Sequence, residues 1–340
     1  MASRRFPFFY FLFLHVAPLA KCSSAERVVT VALDGTGDFR TITEAIEIVP
    51  SKSSSRTTIV VGAGVYHEYL VVPPEKVNLT LQGAGSGATI ITGNRSHAGG
   101  WSTLDSATVS IEAAGFAALD LTFQNSAGIQ GGQAVALNVH GGTSAFYRCV
   151  IDGYQDTLFA QSGRQFYRGC TILGTVDFIF GNAAAVFQDC VISPRGSRGG
   201  TITAQSRQQK KERKAFSFHR CVVEAIADAD SGEEAVKPES FYLGRPWRPY
   251  ASVVFLKTFM SDVINPKGWV PWDGPSKPMP PTIYYGEFEN FGPGAAAAGR
   301  VKLEGVKQIG KAEASWFTVG ALIAGDSWIP ATNVPFDSNL

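Results

Sequence analysis

Short apolar segments recur along most of the chain: TIVV, VNLTLQG, TIITG, ATVSIEA, LDLTFQN, AVALNVH, AFYRCVI, QFYRGCTI, AVFQDCVI, TITAQ, AFSFHRCVV and SVVFLKT. Their β-branched and aromatic content marks them as strands. They follow one another too closely for the helix that joins parallel strands in a βαβ unit. A fixed period is visible instead, because Cys149, Cys170 and Cys190 fall at intervals of 21 and 20 residues. Coils of about 20 to 25 residues, each stacked on the last and burying a continuous core, make a parallel β-helix. The three cysteines are then expected one above another.

The same period carries two carboxylates. Within FYRCVIDGYQDTLFAQSGRQFYRGCTILGTVDFIFG (146–181), Asp156 and Asp177 are also 21 residues apart, and Gln133 precedes Gln155 by 22. Equivalent positions on adjacent coils are separated by one strand spacing, about 4.8 Å, so the two aspartates are expected to face each other. Repeated aspartates in a solenoid often serve turns and strand ends, and Asp152 and Asp189 are read in that way. Like charges at about 5 Å cannot both ionise easily, which raises one pKa and leaves an acid beside a nucleophile. Arg245 in LGRPW offers a guanidinium fork to the ionised member. The two glutamines supply neutral amide donors for a developing oxyanion. These parts suit acyl transfer, glycosyl transfer or a metal-assisted lyase.

Composition narrows the setting. The 340 residues include 36 glycines and 23 phenylalanines but three methionines, which favours many short strands and turns over a helical bundle. Residues 1–25 carry Arg4 and Arg5, an apolar run from Phe6 to Leu14, then small residues, the order of a secretory signal peptide. His15 and Pro18 interrupt that run before it could span a bilayer. Without this leader 27 basic residues face 29 acidic ones, a net −2 that gives no reason to expect nucleic acid. Cys149, Cys170, Cys190 and Cys221 remain, an even number in a compartment that permits disulfides, with three pairings open. Stacking favours Cys149 with Cys170 and Cys190 with Cys221. Asn78-Leu-Thr80 and Asn94-Arg-Ser96 are glycosylation acceptors by pattern.

Five motifs stand in order: GVYHE (64–68), QAVAL (133–137), YQDTL (154–158), DFIFG (177–181) and LGRPW (243–247). With them the sequence resembles the plant pectin methylesterase (pectinesterase) family from VALDGTGDFRTITEAI at 31–46 to WFTVGALIAGDSWIPATNVPF at 316–336. The resemblance implies an all-β, single-domain, right-handed parallel β-helix with short terminal helices over residues 26–340. It also implies hydrolysis of the methyl esters of homogalacturonan in the cell wall, by a secreted monomer that needs neither cofactor nor metal. Asp177 would be the nucleophile and Asp156 the acid and then the base. Gln155 and Gln133 would stabilise the oxyanion, Arg245 would fix Asp177, and Trp247 and Thr103 would contact the sugar. A proteinaceous pectin methylesterase inhibitor is the partner implied besides pectin. No long N-terminal extension resembling the family's inhibitor-like pro-domain is expected.

Other features are weighed against this. GIQGG before Gln133 and FAQSG after YQDTL depart from the family's forms. The basic run in QSRQQKKERKAF (205–216) is a solvated loop on the plainer reading and an anion-binding one on the sharper. Gly83-Ala-Gly85-Ser-Gly87-Ala88 mimics a dinucleotide loop, but a strand-like TIITG follows where a helix is required. No G-x-S-x-G elbow and no H-x-x-x-H pair occurs. Of Trp269 and Trp272, Trp269 is expected to face the sugar. A pectate lyase or polygalacturonase and a non-catalytic pectin binder are the rival functions.

Overall fold

A computed structural model describes residues 27–226, 235–274 and 276–340; the leader assigned to residues 1–25 lies outside them. Each coil gives one strand to each of three parallel sheets, of 11, 7 and 8 strands. One coil runs through Thr143–Tyr147, Val150–Asp152 and Leu158–Ala160, the next through Arg164–Arg168, Thr171–Gly174 and Val176–Gly181. This is the expected right-handed parallel β-helix, with short helices at Ile42–Glu47, Lys311–Ala314 and Val319–Ile323. Several segments that read as single strands are two strands joined by a corner. AFYRCVI turns at Arg148, QFYRGCTI at Gly169, AVFQDCVI at Asp189 and AFSFHRCVV at Arg220, with φ of 51°, 57°, 52° and 56°.

Register follows the corners rather than the repeated letters. Because Gly169 takes the corner that Arg148 takes one coil earlier, Phe146 pairs with Tyr167 instead of Phe166. The inward rings Phe146, Tyr167, Phe187, Phe218 and Phe255 then form a ladder with centroids 4.8, 4.6, 4.6 and 4.5 Å apart. Offset stacking at this spacing adds to the burial of each ring.

Cys149, Cys170, Cys190 and Cys221 stack beside that ladder, all buried and all free. The expected disulfides are therefore corrected. Each thiol points back to the preceding coil, donating to the carbonyls of Ala118, Phe146, Tyr167 and Phe187 respectively at 3.3–3.5 Å. In-register stacking holds equivalent Cβ atoms about 4.8 Å apart, whereas a disulfide needs about 3.8 Å.

Side chains from outside the coils cover one end and one flank. Ile42, Ala45 and Ile46 of the first helix are buried over the open end. Glu68 of GVYHE accepts from the amides of Ile42 and Thr43 at 2.9 Å each, so that motif caps a helix. Along the flank a C-terminal strap lays Val319, Ile323, Ile329 and Val334 on Ala145, Phe166, Ala184 and Val186, on the outer face of the three middle strands of the long sheet. Asp337 pins it, sitting between Arg168 and Arg220, while its backbone exchanges bonds of 2.9 and 3.0 Å with the Gln188 amide.

Candidate active site

The outer face of the seven-stranded sheet carries the site. Its central column reads Val71, Ser110, Asn138, Phe159, Phe180 by strand register. Asp156 and Asp177 occupy equivalent places on adjacent coils, Asp156 just before the strand Leu158–Ala160 and Asp177 second in Val176–Gly181, both left-handed, with φ of 62° and 51°. The ladder slips between Val176 and Ile179, so two residues there oppose one on the next strand. Such a bulge re-aims side chains. Here it turns Asp177 away from a regular strand course, and its amide bonds to Thr201 Oγ1 at 3.1 Å.

Asp177 is tightly held. Arg245 Nε lies 2.9 and 3.1 Å from its two oxygens, Arg245 Nη2 lies 2.6 Å from Oδ2, and Thr201 Oγ1 donates to Oδ1 at 2.5 Å. The guanidinium is itself fixed, donating to the Trp272 carbonyl at 3.2 Å and lying 4.3 Å above the Trp272 ring. Gly244 makes this delivery sterically feasible, since a Cβ there would meet Thr203 Oγ1 at 2.0 Å.

Asp156 is the opposite case. It is 9% exposed, and no hydrogen bond to its carboxyl occurs among the described residues. Burial first, then the charge of Asp177, push its carboxyl well above the ordinary value of 3.8, with Arg245 pulling the other way. Asp156 thus favours its protonated form more than an ordinary carboxyl does, beside a carboxylate salt-bridged to arginine.

Gln133 and Gln155 pair directly across adjacent coils. Neither side-chain amide makes a hydrogen bond among the described residues, so both are free to donate into the cleft. That cleft, of about 450 Å³, is lined by Thr103, Gln133, Gln155, Asp156, Asp177, Arg245 and Trp247, seven residues singled out from the sequence. Its apolar side is a run of rings: Phe159 stacks on Phe180 at 4.3 Å, and Trp247 lies 6.0 Å from Phe180 and 6.3 Å from Trp272.

The two tryptophans of GWVPWDG exchange the roles expected of them. Trp269 is 1% exposed and stacks on Tyr285 at 4.0 Å inside the core, while Trp272 lines the cleft. Trp269 extends the sheet inward beside Gly244, and an irregular Pro-containing segment gave no alternation from which to read this. Thr201 was not singled out at all; its only signal was a place one coil beyond Asp177. Asp152 and Asp189 are structural as expected, but through arginines: Asp152 holds Arg195 at 2.7 Å and Asp189 holds Arg220 at 2.8 Å. In the basic loop, Glu212 gathers the amides of Gln208 and Gln209 and the Lys214 ammonium, leaving Lys210, Lys211 and Arg213 exposed.

Comparison with known proteins agrees with this geometry. The pectinesterase family profile matches residues 28–326. "Pectinesterase" of Daucus carota is 45% identical over 92% of the chain and 98% of its own length. "Pectinesterase 2" of Citrus sinensis is 45% identical over 92% of the chain, which spans only 60% of that longer relative. The solved structure "Pectin methylesterase from Carrot" superposes with a TM-score of 0.87 at 44% identity, covering 94% of this chain and 99% of that one.

Proposed function

The chain belongs to the pectinesterase family, and from that membership and the cleft we propose that it hydrolyses the methyl esters of galacturonate in homogalacturonan, releasing methanol. The observation that carries the mechanism is the division of labour between the two aspartates. Asp177, gripped by Arg245 and Thr201, attacks the ester carbonyl carbon. The resulting oxyanion takes hydrogen bonds from the Gln133 and Gln155 amides. Asp156 gives its proton to the departing methoxide, so methanol leaves and the uronoyl group stays on Asp177 as a mixed anhydride. Asp156, now a carboxylate, takes a proton from water; the hydroxide adds to the acyl carbon, and the anhydride breaks to free galacturonate and Asp177. The sum is ester plus water to acid plus methanol, with both aspartates restored.

Trp247 and Trp272 offer flat apolar faces to a sugar ring, and Thr103 a hydroxyl from the opposite wall. The same reading takes residues 1–25 as a secretory leader and 26–340 as one catalytic domain acting as a monomer in the cell wall, where a proteinaceous inhibitor can meet it. Among the described residues no helix is long and apolar enough to cross a membrane. The test is methanol release from highly methylated pectin in the presence of a chelator. Methanol without chain shortening is expected. Unsaturated uronides or shortened chains without methanol would replace this reading with the lyase or the polygalacturonase.

A further inference from the structure

The two glycosylation acceptors read from the sequence meet different surroundings in the fold. Asn78 of Asn78-Leu-Thr80 is half-buried in the turn before the strand Leu79–Gly83, with φ of 56°. Its Nδ2 donates to the Ser53 carbonyl at 3.0 Å, and a Cβ on Gly115 would meet its Oδ1 at 2.4 Å. A loop and the next coil thus close on this amide from two sides. Thr80 is 5% exposed, its hydroxyl accepting from Arg56 Nη1 at 3.0 Å. A bulky sugar on Asn78 would force the Ser53 loop off the coil.

Asn94 of Asn94-Arg95-Ser96 stands in the open, directly after the strand Thr89–Gly93. The Tyr69 hydroxyl holds it at two points, donating to Oδ1 at 3.1 Å and accepting from the Asn94 amide at 3.0 Å. Nδ2 is the end left over, and among the described residues it makes no hydrogen bond. Beside it lie two rings with much of their surface bare, Tyr69 at 36% and Trp101 at 39% exposed. The Arg95 guanidinium carbon sits 3.7 and 4.1 Å from their centroids, so the three side chains form one firm wall. That wall bounds a hollow of about 620 Å³ that shares Leu104 with the cleft. Large rings left bare next to a free amide are a surface that a bulky hydrophilic group would cover.

We propose that Asn94 carries an N-linked oligosaccharide and Asn78 none, and that the glycan lies against Tyr69 and Trp101 as a fixed screen beside that hollow. The proposal rests on reading residues 1–25 as a secretory leader, because the sugar donor, an oligosaccharide on a lipid diphosphate, is met on the secretory route. In the transfer Asn94 Nδ2 bonds to the donor's anomeric carbon, the bond from that carbon to the diphosphate oxygen breaks, and the proton lost from nitrogen leaves with the lipid diphosphate. Ser96, whose hydroxyl completes the acceptor pattern, is 6% exposed in the folded chain and accepts from the Gly99 amide at 3.2 Å. The sugar is therefore added before the turn from Ser96 to Trp101 closes. Asn78 is equally open at that stage, but a molecule modified there cannot seat its Ser53 loop, so it is missing from the folded, secreted product.

The test expresses the full chain in secreting plant cells and releases the glycans with a glycoamidase in heavy-oxygen water, which leaves a labelled aspartate wherever a sugar was attached. Peptide mass mapping should find the label at position 94 alone. Asn94→Gln should lose the whole glycan mass from the intact protein, and Asn78→Gln should keep it, with the circular dichroism of both unchanged. A label at position 78, or at neither position of the secreted protein, would overturn the proposal. If the full chain is not secreted the leader reading fails instead, and the same mapping on residues 26–340 behind a leader of known function still decides between the two asparagines. The screen has its own readout: glycan removal should make acrylamide quenching of tryptophan fluorescence steeper in the wild type and leave it unaltered in Trp101→Phe. Equal quenching before and after removal in the wild type would overturn the contact with Trp101.

Discussion

Asp120, Arg148, Asp189, Arg220, Lys257 and Glu289 form one stacked column of left-handed corners in this β-helix, and Asp156 with Asp177 forms another. Every one of these residues carries a backbone conformation that disfavours a side chain by on the order of 1 kcal/mol. In the first column the charges close on each other in opposite pairs: Arg148 with Asp120 at 2.6 Å, Arg220 with Asp189 at 2.8 Å, Lys257 with Glu289 at 3.9 Å. In the second column two carboxyls face each other, and Arg245 answers one of them alone. The same backbone conformation is thus used to pair charge at one corner and to leave a carboxyl unpaired at another. Stability belongs to the first arrangement and, on the mechanism proposed, chemistry to the second, as expected where a site holds groups that its surroundings leave unsatisfied.

The most severe way to break that contrast is to remove the member that Arg245 answers. Asp177→Asn leaves no nucleophile, and methanol release should fall by about four orders of magnitude or more with the circular dichroism of the fold intact. Asp156→Asn keeps the nucleophile but loses both the proton for methanol and the base for water. Turnover should fall by about 10²–10⁴, and mass spectrometry should find any adduct on Asp177. An adduct carried by Asp156 in the Asp177→Asn protein would reverse the two roles.

That second substitution also sharpens the contrast in stability. Because burial and Asp177 raise the Asp156 pKa on folding, the native state holds this proton more tightly than the unfolded chain does. Its contribution therefore falls as pH rises from 3.8 through the folded value, then levels off. Asp156→Asn should remove this pH dependence and stabilise the protein at neutral pH by on the order of 1 kcal/mol, read as a higher urea midpoint. Arg245→Lys keeps the charge without the fork, and should lower kcat by roughly 10- to 100-fold with little change in melting temperature. The smallest effect is expected in the paired column. Arg220→Ala severs contacts to Asp189 and Asp337 that are one-third exposed or more, and should lower stability by about 1 kcal/mol or less while methanol release is unchanged.

How far these features could be read from residues alone depended on whether period or packing set them. The interval of 21 placed Asp156 over Asp177 and Cys149 over Cys170, because strand register in a coil is arithmetic once the corners are counted. The glutamine pair followed for the same reason. Thiol chemistry did not follow, since stacking fixes that cysteines are neighbours but rotamers fix where their sulfurs point. Trp269 and Trp272 sit in a segment with no period, so nothing in GWVPWDG distinguishes the ring that enters the core from the ring that lines the cleft. The bulge at Asp177 and the hydroxyl of Thr201 depend on one extra residue in one strand, which hydrophobic pattern does not register.

The C-terminal strap has a consequence for how the molecule is assembled. Contacts between coils join residues about one turn apart in sequence, so a chain made from its N-terminus can lay each coil on the one before. Asp337 instead reaches back 169 positions to Arg168 and 149 to Gln188. Among these contacts the strap becomes available late in synthesis, and loop-closure entropy makes it a slow one to form. Until it docks, Ala145, Phe166, Ala184 and Val186 present an apolar strip on an otherwise finished sheet. The interval between the last coil and the strap is when nascent molecules are most prone to stick to one another.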